Sequence, residues 1–267
     1  MKTEIENELY RLEREHIIKI LYAVESGSRG WEFASTDSDW DVRFIYIHQP
    51  EWYLSIEQKK DTIEEILPTE IDLSGWELKK ALLLFRKSNP PLLEWLRSPI
   101  IYKEQYSTAE RLRKLADESF NTKSCLNYYL HMAEGNFNEY LKKDYVKLKK
   151  YFYVMRAILV CEWIESTNTI APMEFPKLIE SLIKDPNIKN EIIKLLERKT
   201  SGEELDVSPK ILILNDFLEE KIKHFKDYIK TLDKIPLPEF SLLNEVFVNT
   251  LNEVWGFDYT SDAKIQD

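Results

Sequence analysis

The chain has 267 residues, of which 43% are hydrophobic and 31% charged, and its formal net charge is −10. This length and composition predict a globular protein that buries a sizeable core without needing disulfides or structural metals. The negative net charge argues against tight, sequence-independent binding to polyanions, because such binding needs a surplus of Lys and Arg on the contact face.

The cysteines and the N-terminus indicate the compartment. Cys125 and Cys161 lie far apart in apolar segments, which predicts buried free thiols in a reducing environment. The N-terminal stretch is charged and amphipathic, and no run of about 18 apolar residues occurs in the chain. We therefore expect a cytoplasmic protein with no membrane-spanning segment.

The first third of the chain alternates short elements. The apolar spacing of residues 4–16 predicts a helix, and the apolar run 18–24 predicts a strand that ends in a Gly-Ser turn. A strand over 40–48 follows. Its alternation places Asp39, Asp41 and Arg43 on one face and the aromatic and β-branched residues on the other.

The next predicted elements complete the sheet. Residues 60–73 have the pattern of a strand pair that turns at Pro68, and a helix is expected to begin around Gly75 and Trp76. Asp72 would then lie just before that helix.

Beyond residue 105 the pattern becomes helical throughout, which predicts an α+β fold with two parts. Residues 1–105 would form a mixed-sheet domain with helices, and residues 106–267 an all-helical domain. The predicted helices of the second part cover 107–120, 122–142, 144–166, 175–183, 187–199, 208–232 and 240–254.

Asp39 and Asp41 form the most informative pair in the sequence. Residues at i and i+2 of a strand project from one face about 6 to 7 Å apart, close enough to share divalent cations. The serine-rich loop before the strand explains Asp39 as a turn residue. It does not explain an aspartate that recurs inside a strand of aromatic and β-branched residues, where Asp is disfavoured.

A third carboxylate normally completes such a metal cage, and Asp72 is our first candidate. Glu65 and Glu70 are rival candidates, and Asp72 can equally cap the helix expected after it.

The Gly-Ser turn suits a phosphate-bearing ligand. Gly27 allows a close approach of the backbone, and a helix start after it offers N–H groups to phosphate oxygens. Ser28 adds a hydroxyl and Arg29 a cation, and Arg43 can grip a triphosphate in the same way or serve as a counter-charge to the aspartates.

A cationic stripe follows in the helical part. Lys149, Tyr153 and Arg156 recur at i, i+4 and i+7 and so share one face of a helix. Such a face can hold a triphosphate and a base; the alternative is that Tyr153 belongs to the core and the two cations to the surface. The lysine-rich segment 141–150 reads by default as a solvated helix face.

The run Gly27-Ser28, ten residues and Asp39-x-Asp41 resembles the signature of nucleotidyltransferases related to DNA polymerase β. More closely, "GSRGW", "SDWDVRFIYI", "IDLSGWELKKALLLFRKSNPPLLEWLRSPIIY", "KKYFYVMR" and "APMEF" resemble a bacterial and phage subfamily associated with RNA repair. The resemblance implies a polymerase-β-like mixed sheet with Asp39 and Asp41 as metal ligands and Asp72 as the third carboxylate. It also implies a helical domain that closes over the nucleotide.

The resulting hypothesis is a nucleotidyltransferase that uses two Mg²⁺ ions, with Mn²⁺ as an alternative. It would transfer a nucleoside monophosphate from an NTP, most naturally ATP, to an acceptor hydroxyl. The subfamily association favours an RNA end, such as that of a tRNA, in RNA repair, with a protein or a small molecule as alternative acceptors. A non-catalytic module that binds a nucleotide or a protein partner is the alternative of a different class.

Overall fold

The computed structural model describes residues 1–203, 205 and 207–257. A mixed five-stranded sheet lies in its N-terminal part, with the strand order β3-β4-β2-β1-β5. β2 and β4 run parallel, and the other neighbouring pairs run antiparallel. The strands are β1 (Ile18–Glu25), β2 (Trp40–His48), β3 (Thr62–Ile66), β4 (Ile71–Glu77) and β5 (Ile101–Glu104).

Helices surround this sheet and form the rest of the described chain. No described helix is long and apolar enough to cross a membrane. A π-helical turn, Phe137–Leu141, extends α7, and two short strands, β6 (Tyr145–Lys147) and β7 (Val207–Pro209), pair as an antiparallel ribbon. The helices are α1 (Lys2–His16), α2 (Gly27–Gly30), α3 (Pro50–Tyr53), α4 (Leu78–Arg86), α5 (Pro90–Trp95), α6 (Thr108–Glu118), α7 (Thr122–Asn136), α8 (Lys149–Thr167), α9 (Phe175–Leu182), α10 (Pro186–Thr200), α11 (Leu212–Thr231) and α12 (Phe240–Trp255).

The alternation of β2 divides its side chains between two cores. Val42, Phe44 and Tyr46 pack with the apolar stripe of α1, as the sequence pattern predicts. Ile45 and Ile47 belong to the larger core, which the helices after the sheet complete. Because Asp41 and Arg43 have the same parity as these two isoleucines, they lie on the face of the sheet that meets the helical part.

The larger core is continuous from Leu21 in β1 to Leu251 in α12, so the sheet and the helices share buried side chains. The architecture is α+β, with the sheet in the N-terminal part and helices in the C-terminal part, which confirms the predicted fold class. The division at residue 105 stays a prediction, and residues 258–267 of the second predicted part lie outside the described residues.

One predicted helix start is wrong. Gly75 and Trp76 lie inside β4, and α4 begins at Leu78 after Glu77, whose carboxylate accepts a hydrogen bond of 2.7 Å from the Lys79 N–H. The strand continues because Gly75 and Trp76 pair with Phe44 and Ile45 of the parallel neighbour β2, and the Phe44 ring leaves no room for a larger residue at Gly75. Asp72 is therefore a strand residue and does not cap a helix.

Two further predicted boundaries are wrong for a related reason. The segments expected to open the helices at 144 and 208 form β6 and β7 instead, and α8 and α11 begin at Lys149 and Leu212. These three-residue strands are stabilised by pairing with each other across about 60 residues of sequence. Local sequence patterns carry no information about such a partner. The remaining predicted helices agree with the structure to within a few residues.

Replacement of Gly75 by alanine tests the packing of β2 on β4. A Cβ at this position would overlap the Phe44 ring, so Gly75→Ala should lower the free energy of unfolding by about 1–3 kcal/mol. Gly135 lies in α7 with open space at its Cβ position, so Gly135→Ala should raise that free energy by about 0.5–1 kcal/mol. Urea unfolding of both variants provides the comparison, and a neutral effect at Gly75 would contradict the close contact.

Candidate active site

The Gly-Ser turn and Asp41 are in direct contact. Gly27 has φ +54°, a left-handed conformation that favours glycine, and a Cβ at this position would overlap the Asp41 carboxylate. The Ser26 N–H donates a 2.8 Å hydrogen bond to the Asp41 carbonyl oxygen. The glycine is therefore required twice over, by its backbone conformation and by the carboxylate that lies against it.

Glu25 holds the same aspartate from the other side. Its fully buried carboxylate accepts hydrogen bonds from the Asp41 N–H at 2.9 Å and from the Tyr102 hydroxyl at 2.6 Å. Burial raises the pKa of this carboxyl above its ordinary value. We did not predict this residue. The available signal was an acidic residue at the end of an apolar strand, directly before the turn.

Asp41 and Asp72 face each other across the parallel pair β2–β4, with Arg43 between them. Arg43 Nη2 lies 2.8 Å from Asp41 Oδ1 and 2.8 Å from Asp72 Oδ2, and its Nη1 donates to the Asp72 carbonyl oxygen at 2.9 Å. Burial raises the pKa of Asp41, and the charges of Asp72 and Asp39 raise it further, while Arg43 lowers it. The three predicted carboxylates thus share one edge of the sheet.

Part of this edge fits a divalent metal. Asp39 is exposed and Asp41 half-buried beside the turn, and carboxylate oxygens are the ligands that Mg²⁺ prefers. Like charges around a half-buried carboxylate also favour a cation there. Asp72 is held by Arg43, and among the described residues no group of three or more His, Cys, Asp or Glu is arranged as a metal site. The carboxylates of Asp39 and Asp41 therefore fit a divalent metal. Asp72 can bind the same metal only when Arg43 moves away from its carboxylate.

The rival third carboxylates lie elsewhere. Glu65 Oε2 pairs with Arg11 Nη2 at 2.5 Å, and its neighbour in the sheet, Leu73, belongs to the core beneath α1. Glu70 is exposed in the turn before β4, with φ +62°. Of the three candidates, only Asp72 is brought beside Asp41.

Arg29 supports the loop that carries Asp39. Its guanidinium donates to the carbonyl oxygens of Ser38 at 2.6 Å and Asp39 at 3.2 Å, and it stacks on the Trp40 ring with Cζ 3.8 Å from the ring centroid. The structure therefore places Arg29 against the backbone of this loop, whereas Gly27 and Ser28 line the cleft described next.

A cleft of about 920 Å³ adjoins these residues. The side chains that line it include acidic and polar groups of the sheet edge, aromatic residues, lysines and two arginines. The acidic group includes Asp39 and Asp41. The volume is within the range of cavities that hold nucleotide-sized ligands. The aromatic members are Trp31, Phe33, Trp76, Trp95, Tyr128, Tyr129 and Tyr153, and the lysines are Lys147, Lys149 and Lys199.

The predicted cationic stripe of α8 lines this cleft, but its members differ in exposure. Lys149 is exposed, and Tyr153 is about one-third exposed. Burial raises the pKa of Tyr153, and the negative charges of Asp41 and Asp39 raise it further, so its phenol lies within electrostatic reach of the carboxylate edge. Arg156 is only 2% exposed. All three predicted residues thus border the same cleft as Asp41.

A buried ion pair positions Arg156. Its Nη1 lies 2.8 Å from Glu94 Oε1, which also accepts a hydrogen bond from the Tyr129 hydroxyl, and Glu94 Oε2 accepts one of 3.2 Å from the Trp31 indole. The guanidinium stacks on Trp31, with Cζ 4.5 Å from the ring centroid. Glu94, Trp31 and Tyr129 were not predicted, because nothing in the local pattern links residues that are 35 to 63 positions apart.

A family model and a bacterial relative match most of the chain. A family model described as the RNA repair pathway DNA polymerase beta family, RlaP, matches residues 1–249. The uncharacterized protein YcgL of Bacillus subtilis (strain 168) is 50% identical over 255 residues, which are 96% of this chain and 98% of that protein. Among solved structures, a nucleotidyltransferase-like protein from Exiguobacterium sibiricum 255-15 matches at 14% identity and a TM-score of 0.31, over 93% of this chain and 80% of that chain.

Arg43→Gln tests whether the arginine and a divalent cation neutralise the same carboxylates. Loss of the guanidinium leaves Asp41 and Asp72 to repel each other, so stability without metal should fall by about 1–3 kcal/mol. Mg²⁺ should then raise the melting temperature of the variant more than that of the unaltered protein. Thermal unfolding with EDTA and with MgCl₂ measures both effects, and equal shifts in the two proteins would contradict the shared role.

Glu94→Gln tests the buried pair. The substitution leaves the Arg156 guanidinium buried without its carboxylate, so we expect the free energy of unfolding to fall by about 3–5 kcal/mol. The double variant Glu94→Gln/Arg156→Met removes both charges and should be more stable than the sum of the single losses predicts. Urea unfolding of the two single variants and the double variant gives the coupling, and strict additivity would show that the pair does not interact.

Proposed function

The chain belongs to the RNA repair pathway DNA polymerase beta family, and from this premise we propose that it transfers a nucleoside monophosphate from an NTP to an acceptor hydroxyl. The observation that carries the proposal is the contact between the Gly27 turn and the Asp41 carboxylate at a cleft of nucleotide size. The Asp41 carboxylate lies against the glycine turn, so a metal-binding group stands directly beside backbone N–H groups that can donate to phosphate oxygens.

Asp39, Asp41 and Asp72 are the residues that we propose to hold the metal, two Mg²⁺ ions or Mn²⁺ in their place. The metal would supply charge neutralisation on the phosphates and activation of the acceptor hydroxyl. Glu25 fixes the backbone of Asp41, and Arg29 fixes the loop that carries Asp39, so both ligands are held before any substrate binds. Such preorganisation is the main way in which an enzyme lowers the barrier of phosphoryl-type transfer.

The nucleotide would lie between the turn and α8. We propose that Gly27 and Ser28 contact the phosphates, with Lys149 as a further cation, and that Arg29 and Arg43 contribute positive charge at the carboxylate edge. Tyr153 and Arg156 border the aromatic part of the cleft, where a base can stack on a ring. ATP is the donor that we would test first. The acceptor oxygen would form a bond to the α-phosphorus as the bond to the β-phosphate breaks, with pyrophosphate as the leaving group and the hydroxyl proton released to solvent, so the scheme needs no protein nucleophile.

The acceptor that we propose is an RNA end, in keeping with the description of the family. Transfer to a protein or to a small molecule uses the same chemistry at the carboxylate edge, and the label-transfer experiment below separates the three acceptors.

A specific observation favours a second candidate function, a nucleotide-binding module without turnover. Arg43 bridges Asp41 and Asp72, and the described residues contain no ready three-ligand metal group. A guanidinium in that position can neutralise the carboxylates without any metal.

Asp41→Asn separates the two functions. With each common NTP labelled at the α-phosphate, Mg²⁺ and cellular RNA, the unaltered protein should transfer label, and Asp41→Asn should lower the rate by about 10²–10³-fold. Asp233→Asn, an exposed aspartate that lies outside the cleft, is the matched control and should retain full activity. RNA, protein and small-molecule fractions are separated after the reaction.

The outcome also decides between the acceptors. Label in the RNA fraction supports the proposal, and label in another fraction keeps the reaction but changes the acceptor. Absence of label from every fraction, together with nucleotide binding that survives both EDTA and Asp41→Asn, would favour the binding module.

A further inference from the structure

The lysine-rich segment between α7 and α8 has a different structure from the solvated helix face predicted from sequence. The chain leaves helical structure at Leu141, forms β6 and enters α8 at Lys149. β6 pairs with β7, so the segment is one half of a two-stranded ribbon. We call residues 142–150, together with β7, the basic flap.

Buried and exposed side chains alternate along the flap from Tyr145 to Lys149. Val146 and Leu148 are buried in the large core, whereas Tyr145, Lys147 and Lys149 between and beside them are exposed. Tyr145 is 65% exposed, which is unusual for an aromatic residue within a strand. Its cross-strand partner is Pro209, and that of Lys147 is Val207, so β7 adds no charge opposite these two residues.

The lysines of the flap lack acidic partners among the described residues. Lys142, Lys143, Lys147, Lys149 and Lys150 form no ion pair within that part of the chain. The one acidic residue within the segment, Asp144, pairs with Lys210 at 3.1 Å. Many lysines elsewhere are paired, although the net charge of −10 leaves ample carboxylates. Among the described residues, the flap is therefore a local concentration of lysines without ion-pair partners on an acidic protein.

The flap is continuous with the candidate active site. Lys147, Lys149 and Val207 line the same cleft as Asp39 and Asp41. Lys199 also lines it; burial lowers the pKa of this lysine, Asp37 raises it and the charge of Lys149 lowers it. The positive surface thus extends from exposed Lys142 and Lys143 into the cleft that holds the carboxylates.

We propose that the basic flap binds the phosphates of a single-stranded RNA segment whose terminal hydroxyl lies at the carboxylate edge as the acceptor. The inference rests on the proposed function, which supplies the reaction at that edge. Lys142, Lys143 and Lys147 contact successive phosphates, and Tyr145 stacks on a base between them. A positively charged surface with an exposed aromatic ring is the combination by which proteins bind single strands without reading their sequence.

A charge-reversal variant tests the phosphate contacts. Lys142→Glu/Lys143→Glu changes two exposed residues outside the cleft, and Lys2→Glu/Lys223→Glu makes the same change in net charge at exposed positions elsewhere. Binding of a fluorescent single-stranded RNA of mixed sequence is followed by anisotropy at several salt concentrations. The flap variant should bind at least about ten-fold more weakly, and the slope of log K against log salt should become less negative by about 1.4, whereas the control keeps most of its affinity and its slope.

Tyr145→Ala is a second, independent variant. Loss of the stacking contact with one base should weaken RNA binding by about ten-fold without changing its salt dependence. Tyr145→Phe keeps the ring and should bind RNA as tightly as the unaltered protein. Circular dichroism shows whether each variant keeps its fold. Equal weakening by the flap and control variants, or failure of the unaltered protein to bind the RNA, would overturn the proposal.

ATP binding by the same variants distinguishes the flap proposal from the proposed nucleotidyl transfer. ATP binding in the presence of Mg²⁺ should be unchanged in Lys142→Glu/Lys143→Glu, because neither residue lines the cleft. Selective loss of RNA binding in that variant supports the flap proposal even if no label is transferred, in which case the proposed reaction fails instead. Label transfer to an acceptor other than RNA, with RNA binding unaffected by the variant, overturns the flap proposal and leaves the reaction standing.

Discussion

The half-buried carboxylate of Asp41 lies against the backbone of Gly27, and the rest of the site depends on how this charge is kept there. Removing a carboxylate from water is costly, and Asp72 and Asp39 add negative charge around it. Two features offset that cost, the Arg43 ion pair and the partial exposure of the group at the cleft, while the hydrogen bond from the Asp41 N–H to Glu25 holds the backbone in place. The like charges of the acidic edge repel one another, while the ion pair and the hydrogen bonds hold the carboxylates in position. A cation-binding site requires carboxylates that are held in this way.

The position of the edge follows from the topology of the sheet. β2 and β4 are parallel neighbours, so Asp41 and Asp72 meet in register, and the chain between them must cross over to begin β4 in the same direction. A slip of one residue in β2 would turn Asp41 towards α1 and bring Arg43 or Ile45 to the position of Phe44 in the core. The packing of Gly75 beneath Phe44 opposes such a slip. The core beneath α1 and the acidic edge are therefore specified by the same register.

Sequence patterns were informative where the signal is local. The turn at Gly27, the alternation of β2 and most helices were predicted, because each depends on neighbours within about a dozen residues. The partners supplied by distant segments were missed. Glu94 meets Arg156 only after α5 packs near α8, Glu25 gains its role only when β2 pairs with β1, and β6 and β7 exist only as a pair. In "LKKDYVKLKK" the lysines favour a helix, and long-range pairing overrides that preference.

The cleft is lined by both negatively and positively charged side chains. Its carboxylates include Asp41 in β2 and Asp39 in the loop before it, and its lysines belong to the flap and to α10, so opposite charges line one cavity. Interactions between exposed charges are screened beyond about 8 Å at physiological salt, so a distant negative surface does little to cancel the lysines locally. A polyanionic strand would be attracted by the flap and repelled by the bare carboxylates, and only a strand end that arrives with compensating cations could approach Asp41. The net charge of −10 and an RNA-binding flap are therefore compatible, because the acidic remainder of the surface would disfavour binding in any other orientation.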